Sequence, residues 1–449
     1  MIEFRYFIPV FSLFVCLLTF FRFGTILNPI CIVAIWWSFW LFVANLSLTG
    51  LFIPGVHTQV LILTMIFSML CGGILAKRRA GFHGKNILRN NLQLHKKWRY
   101  LYFILGFLIP VVSYYFVKAI RLFFSEGILG YRDAVFGDVD RPSVLFGSNY
   151  LELLYALLFS PIIHVSLLAS IVFYLCFQDR RFLVVSVVLV IMDAVMRLGR
   201  FNFYYFVFFL LISYLFIRQR SRVRDPIGNG FRAAVKNVRV TIGALALCMV
   251  LILSVLSVMR SENSDTIADL LKRFAVEYHT VGFVLFDESL ENPTSRLNQD
   301  VSYGRSLLGG IDTIAVILFR RFDRNLQSIS NENGPIMREF RVVGYDLNGY
   351  PILYNAFYTI LYSMYLDGRE LVFFAIPFLY GYFLSNLYQD WLVTGEIGTL
   401  MILNLLTYVG IFSIFQSPVE GTIFWGTLLL LFLFNRVRLP GRIQPAGVV

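Results

Sequence analysis

Metal-ligating and redox side chains are scarce in this chain of 449 residues, which has five histidines and five cysteines. The cysteines, Cys16, Cys31, Cys71, Cys176 and Cys248, all lie in apolar runs. None is placed for a loop disulfide or a zinc site, so they read as small packing residues and no metal site is expected. No HExxH pair, Walker loop, serine nucleophile elbow or dinucleotide fingerprint occurs. Coupling to nucleotide hydrolysis therefore has no support, and no cofactor is expected. Charged residues make up only 15% of the chain. The net charge of +12 would suggest nucleic acid in a soluble protein. Here it has to be sorted by membrane side first, and no nucleic-acid partner is expected.

What the chain has in excess is apolar length. The hydrophobic fraction is 58% and the mean hydropathy +0.70. Many runs reach about 18 or more residues, which a soluble core does not require. They are continuous rather than alternating, so helices, not a barrel, are expected to span. Spans are expected at roughly 4–21, 27–47, 58–76, 100–118, 152–176, 182–196, 201–217, 238–258, 371–388, 398–415 and 421–435. The first run lacks a small-residue cleavage site and reads as a retained helix. The loop "KRRAGFHGKNILRNNLQLHKKWR" holds eight Lys or Arg and no acid, and "RQRSRVRDPIGNGFRAAVKNVR" holds seven and one Asp. Short basic loops stay cytoplasmic, which places 119–151, 259–350 and the N-terminus outside.

The fold class is thus an all-α polytopic membrane protein of about 11–12 transmembrane helices with a large, partly helical outer loop. Residues 1–258 form an N-terminal bundle of about eight spans, 259–350 the outer loop, and 369–449 the C-terminal helices and cytoplasmic tail. Between the last two, 351–368 is expected as an interfacial or re-entrant helix. A span there would put the basic tail "NRVRLPGRIQ" outside, against the charge rule. Tyr354, Tyr358, Tyr362 and Tyr365 would share one helical face at headgroup level. An ordinary twelfth span is the other possibility.

"IMDAVMRLGRFNFYYFVFFLL" places Asp193, Arg197 and Arg200 at i, i+4 and i+7. An ionisable group costs about 2.5–3.5 kcal/mol at mid-membrane, so a partner or a function should offset it. Snorkelling at a helix end also accounts for Arg197. Gly199 permits a turn that would aim Arg200 into the bundle. A guanidinium fork suits phosphate, and the outer loops add Arg132, Arg141, Arg296, Arg305, Arg338 and Arg341. An anionic ligand at the outer leaflet is the economical reading. Arg320, Arg321 and Arg324 in "FRRFDRN" read better as a basic turn touching lipid headgroups. The pair Asp138 and Asp140 in "GDVDR" reads as a solvated turn. His279 is the one histidine of the large outer loop. It is the candidate base for a hydroxyl, and Glu277, at i−2, would be off its helical face.

A Gly-Arg turn opening an aromatic-rich span, a large outer loop containing "YHTVGFVLFDESLENPTSRLNQDVSYG", and "YNAFYTILYSMYLDGRE" running into a further helix together resemble the bacterial O-antigen polymerase (Wzy) family. Arg338 and Gly349, with ten residues between them, match that family's outer-loop pattern; the first outer loop has no such glycine. The resemblance implies joining of undecaprenyl-pyrophosphate-linked oligosaccharides at the periplasmic face of the inner membrane, without metal. It also implies a chain-length regulator as partner. His279 and Arg200 would be catalytic. Arg338, Arg341, Arg132, Arg305 and Arg197 would hold pyrophosphate or substrate, and Tyr303 and Tyr345 would stack on sugars. The O-antigen ligase resembles the same layout, but its helix after the loop starts His-Asn where this chain reads Tyr354-Asn355. A transporter of lipid-linked sugar is the third candidate, though no repeat of broken helices is visible.

Overall fold

The computed structural model describes residues 2–76, 91, 94–96, 98, 100–136, 144–197, 201–224, 276–346, 348–355 and 358–436. These are mostly helical. Among the described residues five helices are long and apolar enough to cross a membrane: Tyr6–Phe23, Val56–Leu75, Leu94–Gly127, Asn149–Phe177 and Ile360–Thr394. Shorter apolar helices cover Pro29–Asn45, Gly309–Phe319, Ile397–Phe412 and Thr422–Asn435. The chain is a multi-pass membrane protein. The expected span at 238–258 lies outside the described residues, as do Arg200, Arg141, Asp138, Asp140 and the side chains of Arg132 and Arg338.

In chain order α1 is Ile2–Phe23, α2 Pro29–Asn45, α3 Val56–Leu75, α4 Tyr100–Phe136, α5 Asn149–Phe177, α6 Arg180–Met196 and α7 Phe201–Arg224. The large loop then supplies α8 Tyr278–Glu291, α9 Arg296–Gln299, α10 Gly309–Phe319, α11 Ile329–Arg338, and the strands β1 Arg341–Tyr345 and β2 Pro351–Tyr354. After these come α12 Ile360–Thr394, α13 Ile397–Phe412 and α14 Thr422–Arg436.

Local chemistry sets the ends. Asn28 caps α2 by accepting from the Cys31 N–H at 2.9 Å, with Pro29 in the first turn. The α3 N-terminus is capped from 230 residues away. The Asp287 carboxylate accepts from the Gly55 N–H at 2.8 Å and the Thr58 hydroxyl at 2.6 Å, so α8 is fastened where the helix dipole favours an anion. Gly395, at φ +63°, ends α12 in the left-handed region.

The most intimate pair is α3 with α12. A methyl group at Gly72 would collide with the Phe378 carbonyl, and one at Gly381 with the Met69 carbonyl. The Ser385 hydroxyl donates to the Gly73 carbonyl at 3.0 Å, and Ser68 donates to the Phe374 carbonyl. Small residues let two backbones approach where lipid offers no hydrophobic drive for association. The two helices run parallel: His57 meets Glu370 at one end and Gly73 meets Ser385 toward the other.

Contacts sort the molecule into two ends. At the basic end Asn91 of the first basic loop donates to the Gly395 carbonyl at 2.8 Å, and Arg220 lies over Trp391 at 5.2 Å. At the opposite, loop end, β1 and β2 pair antiparallel, and Leu51 bridges to Gly344. The Phe52 N–H also donates to the Val343 carbonyl at 2.9 Å, which ties the α2–α3 connection to the hairpin.

Two expectations need correction. Residues 351–368 are not one helix. They comprise a strand to Tyr354 and a helical arm, Ile360–Asp367, that joins the rest of α12 at non-helical Gly368 and Arg369. Its tyrosines do not form an exposed face either: Tyr358, Tyr362 and Tyr365 are buried, with Tyr358 against Tyr362 at 5.2 Å and Tyr365 against Phe286 at 6.0 Å. Packing of Tyr365 against α8 takes its apolar ring out of solvent. Also, α4 runs on past 118 to Phe136 through a break at Gly127, φ +70°.

Candidate functional site

Polar side chains gather at the loop end in three groups. The first surrounds the α6–α7 turn. Asp193, 1% exposed, is contacted at 3.3 Å by Arg197 one turn later. It also accepts from the Tyr155 hydroxyl at 2.8 Å and from Asn202 Nδ2 at 2.6 Å. Arg197 donates to the Ser160 hydroxyl at 2.6 Å and lies over the Tyr155 ring at 4.7 Å. Residues Tyr155–Phe159 form a π-helical bulge within α5 that carries this Tyr155. Arg197 meets Ser160 and Tyr155 of α5 as well as Asp193 of its own helix, so it is a tie between helices rather than a snorkelling end group.

The second group centres on His279, at the first turn of α8. Its imidazole stacks on Trp40 with ring centres 3.8 Å apart and planes at 19°. Trp36 at 5.7 Å and Phe415 at 4.3 Å meet it edge-on. Tyr204 of α7 lies 5.8 Å from Phe415, so the start of α7 borders the same aromatic box. Glu277 points elsewhere, accepting from the Tyr354 hydroxyl at 2.7 Å, as the i−2 spacing requires.

The third group comprises three loop arginines, Arg296, Arg305 and Arg341, each already held by loop acids. Arg341 binds Glu288 and approaches Glu339 at 3.6 Å. Arg305 donates to Asp312 at 2.9 Å, a bond that raises its pKa further, and to Glu332 at 3.3 Å. Arg296 meets Glu332 as well and Asn333 at 2.7 Å. Glu288 lies nine residues along α8 from His279, about 13.5 Å of helix, so Arg341 and the imidazole are not neighbours. Tyr303 is 87% exposed, with φ +51°, and Tyr345 is half-exposed against Phe52. Arg320, Arg321 and Arg324 are exposed around Phe322, which is exposed too.

One acid escaped the sequence reading because nothing in "SPVEGT" marks it. Glu420, in the turn between α13 and α14, accepts from the Ser363 hydroxyl of the helical arm. Burial pushes its carboxyl from the ordinary 4.5 up to about 7, against the lowering effect of Ser363 and Ser417, and Asp367 adds repulsion. Asp367 is satisfied by the Ser306 and Leu307 N–H groups at 2.9 and 2.7 Å. Since the folded state holds the Glu420 proton more tightly than the unfolded chain, stability falls as pH rises from about 4.5 to 7 and stays low above that. Thermal unfolding of the purified protein across this window is expected to show the fall, and Glu420→Gln to flatten it. An unchanged slope in that variant would assign the effect elsewhere.

Among the described residues no group of three or more His, Cys, Asp or Glu could hold a metal ion. Compared with models of known protein families, with curated proteins and with solved structures, the chain matches none.

Proposed function

We propose that this protein polymerises lipid-linked oligosaccharide repeat units, with undecaprenyl pyrophosphate as the leaving group. The loop end faces the periplasm of a bacterial inner membrane, as the basic loops require under the charge rule. What supports this reading most is His279, an imidazole held flat against Trp40 at the loop end and bordered by the start of α7. An acceptor sugar hydroxyl gives its proton to that imidazole, and its oxygen bonds to the anomeric carbon of the donor. The bond from that carbon to the pyrophosphate breaks, and its electron pair leaves with the lipid diphosphate. Aromatic faces around the imidazole suit the apolar faces of sugar rings.

Arg200, Arg338 and Arg132 supply positive charge for the pyrophosphate. Arg341 and Arg305, held by Glu288 and Asp312 away from the imidazole, would contact more distant parts of the lipid-linked substrate rather than the departing pyrophosphate, while Arg197 acts through the Asp193 network. Tyr303 and Tyr345, both open to solvent, remain available for sugar stacking. A chain-length regulator would meet this same face. The reaction needs no nucleotide. Purified protein in liposomes, given lipid-linked repeat units and no ATP, is expected to yield a ladder of longer lipid-linked chains on a gel. Transfer only onto lipid A would instead identify a ligase, and movement without a new bond a transporter.

A further inference from the structure

The turn between α1 and α2 is held closed by its own residues. Gly24, at φ +69°, ends α1, and its N–H donates to the Phe20 carbonyl at 2.7 Å. The Thr25 hydroxyl accepts from the Leu27 N–H at 3.1 Å, and the Thr25 carbonyl accepts from Asn28 Nδ2 at 2.9 Å. Asn28 in turn caps α2 through the N–H of Cys31. The two helices therefore leave this turn with little freedom relative to one another, and they pack against each other.

That packing brings two sulfurs together. Cys31, in the first turn of α2 and fully buried, directs its thiol at the thiol of Cys16 on α1, with 3.6 Å between the sulfur atoms. A disulfide bond is about 2.05 Å long, so an approach of about 1.5 Å separates this contact from a covalent link. Cys16 is half-buried and is the sulfur that a small oxidant meets first, while Cys31 lies behind it. A buried cysteine by itself is a small packing residue. Two in contact, one of them reachable, are an attacking and a resolving thiol. Among the described residues no other two cysteine sulfurs approach this closely, and Cys248 lies outside those residues.

We infer that Cys16 and Cys31 are a redox-sensitive pair that a peroxide converts into a disulfide, fastening α1 covalently to α2. The Cys16 sulfur attacks the O–O bond of the peroxide, which breaks to leave a sulfenic acid and one water. The Cys31 sulfur then attacks the Cys16 sulfur, the S–O bond breaks, and a second water departs as the S–S bond forms. The two thiols lose two electrons and two protons in all, and hydrogen peroxide is reduced to two waters. The helix so fastened is a peripheral one: 17% of the α1 span is buried, against 61% of the α3 span. Arg22 of α1 donates to the Ala76 carbonyl just past α3, beside the first basic loop, which places the pair toward the basic end. The basic loops put that end in the cytosol, where thiols are kept reduced, so the resting form is the dithiol and the disulfide forms on oxidative challenge. The inference does not depend on the transfer reaction.

Thiol counting tests it. The full-length protein in detergent is reduced, freed of reductant, exposed to dilute hydrogen peroxide and denatured, and its remaining thiols are tagged with a maleimide and counted by intact mass. The parent is expected to fall from five free thiols to three and to regain five with dithiothreitol. Proteolysis before reduction is expected to release one pair of fragments joined through Cys16 and Cys31. A variant carrying Cys71→Ala, Cys176→Ala and Cys248→Ala is expected to form the same link, whereas Cys16→Ala and Cys31→Ala are each expected to form none. Five free thiols in the treated parent would overturn the inference. So would a bond joining either residue to another cysteine, or a disulfide that persists in Cys16→Ala.

Discussion

Replacing His279 with glutamine is expected to lower ladder formation by about 10²–10⁴-fold, the range over which removal of a positioned base acts. Glutamine keeps a planar polar group of similar reach against Trp40 but cannot take up a proton, so the variant separates basicity from packing. Trp40→Leu leaves the imidazole and removes the surface that fixes its plane, and it is expected to lower the rate less. Both should extract and unfold like the parent, since His279 sits at the first turn of α8, whose inner residues Val281 to Phe286 carry the packing. An unchanged ladder from His279→Gln would remove the imidazole from the mechanism and turn attention to Glu420.

The largest loss of stability is expected from Asp193→Ala. That substitution leaves the Arg197 guanidinium, the Tyr155 hydroxyl and the Asn202 amide without the acceptor they share. Breaking a buried pair by removing one partner costs about 3–5 kcal/mol, because the remaining charge stays in low dielectric. A clear drop in the thermal unfolding temperature in detergent is the readout. Arg197→Leu added to Asp193→Ala is expected to recover part of it, since the stranded charge is then gone. If the single variant unfolds with the parent, the network contributes nothing to holding α5, α6 and α7 together.

Much of the architecture was visible in hydropathy. Continuous apolar runs predict membrane helices because backbone groups in lipid have to be satisfied within the segment, and the helices at 56–75 and 149–177 lie close to the expected 58–76 and 152–176. The i, i+4 spacing put Asp193 and Arg197 on one helical face, but that Asp193 is the partner of Arg197 emerged only from the structure. What could not be read was tertiary. Arg305 and Arg341 looked available because the acids that bind them most closely lie 7 and 53 residues away in sequence, Asp312 for Arg305 and Glu288 for Arg341. The tyrosines of 354–365 fit a helical face by number, yet Tyr354 is in a strand and the others are buried in the protein. The break at Gly368 and Arg369 stood in the quoted motif "LDGRE" without notice, since a backbone angle leaves no mark on composition.

The glycine contact between α3 and α12 joins stretches some 300 residues apart. During synthesis α3 leaves the ribosome long before its mate exists, and at roughly 5–20 residues per second the delay is of the order of tens of seconds. Throughout that time the notch at Gly72 is without the α12 backbone that fills it, whereas Gly73 already has Ile30 of α2 against it. Chains cut short before residue 381 would reach the membrane with an unfilled groove that neighbouring proteins or quality-control proteases can recognise.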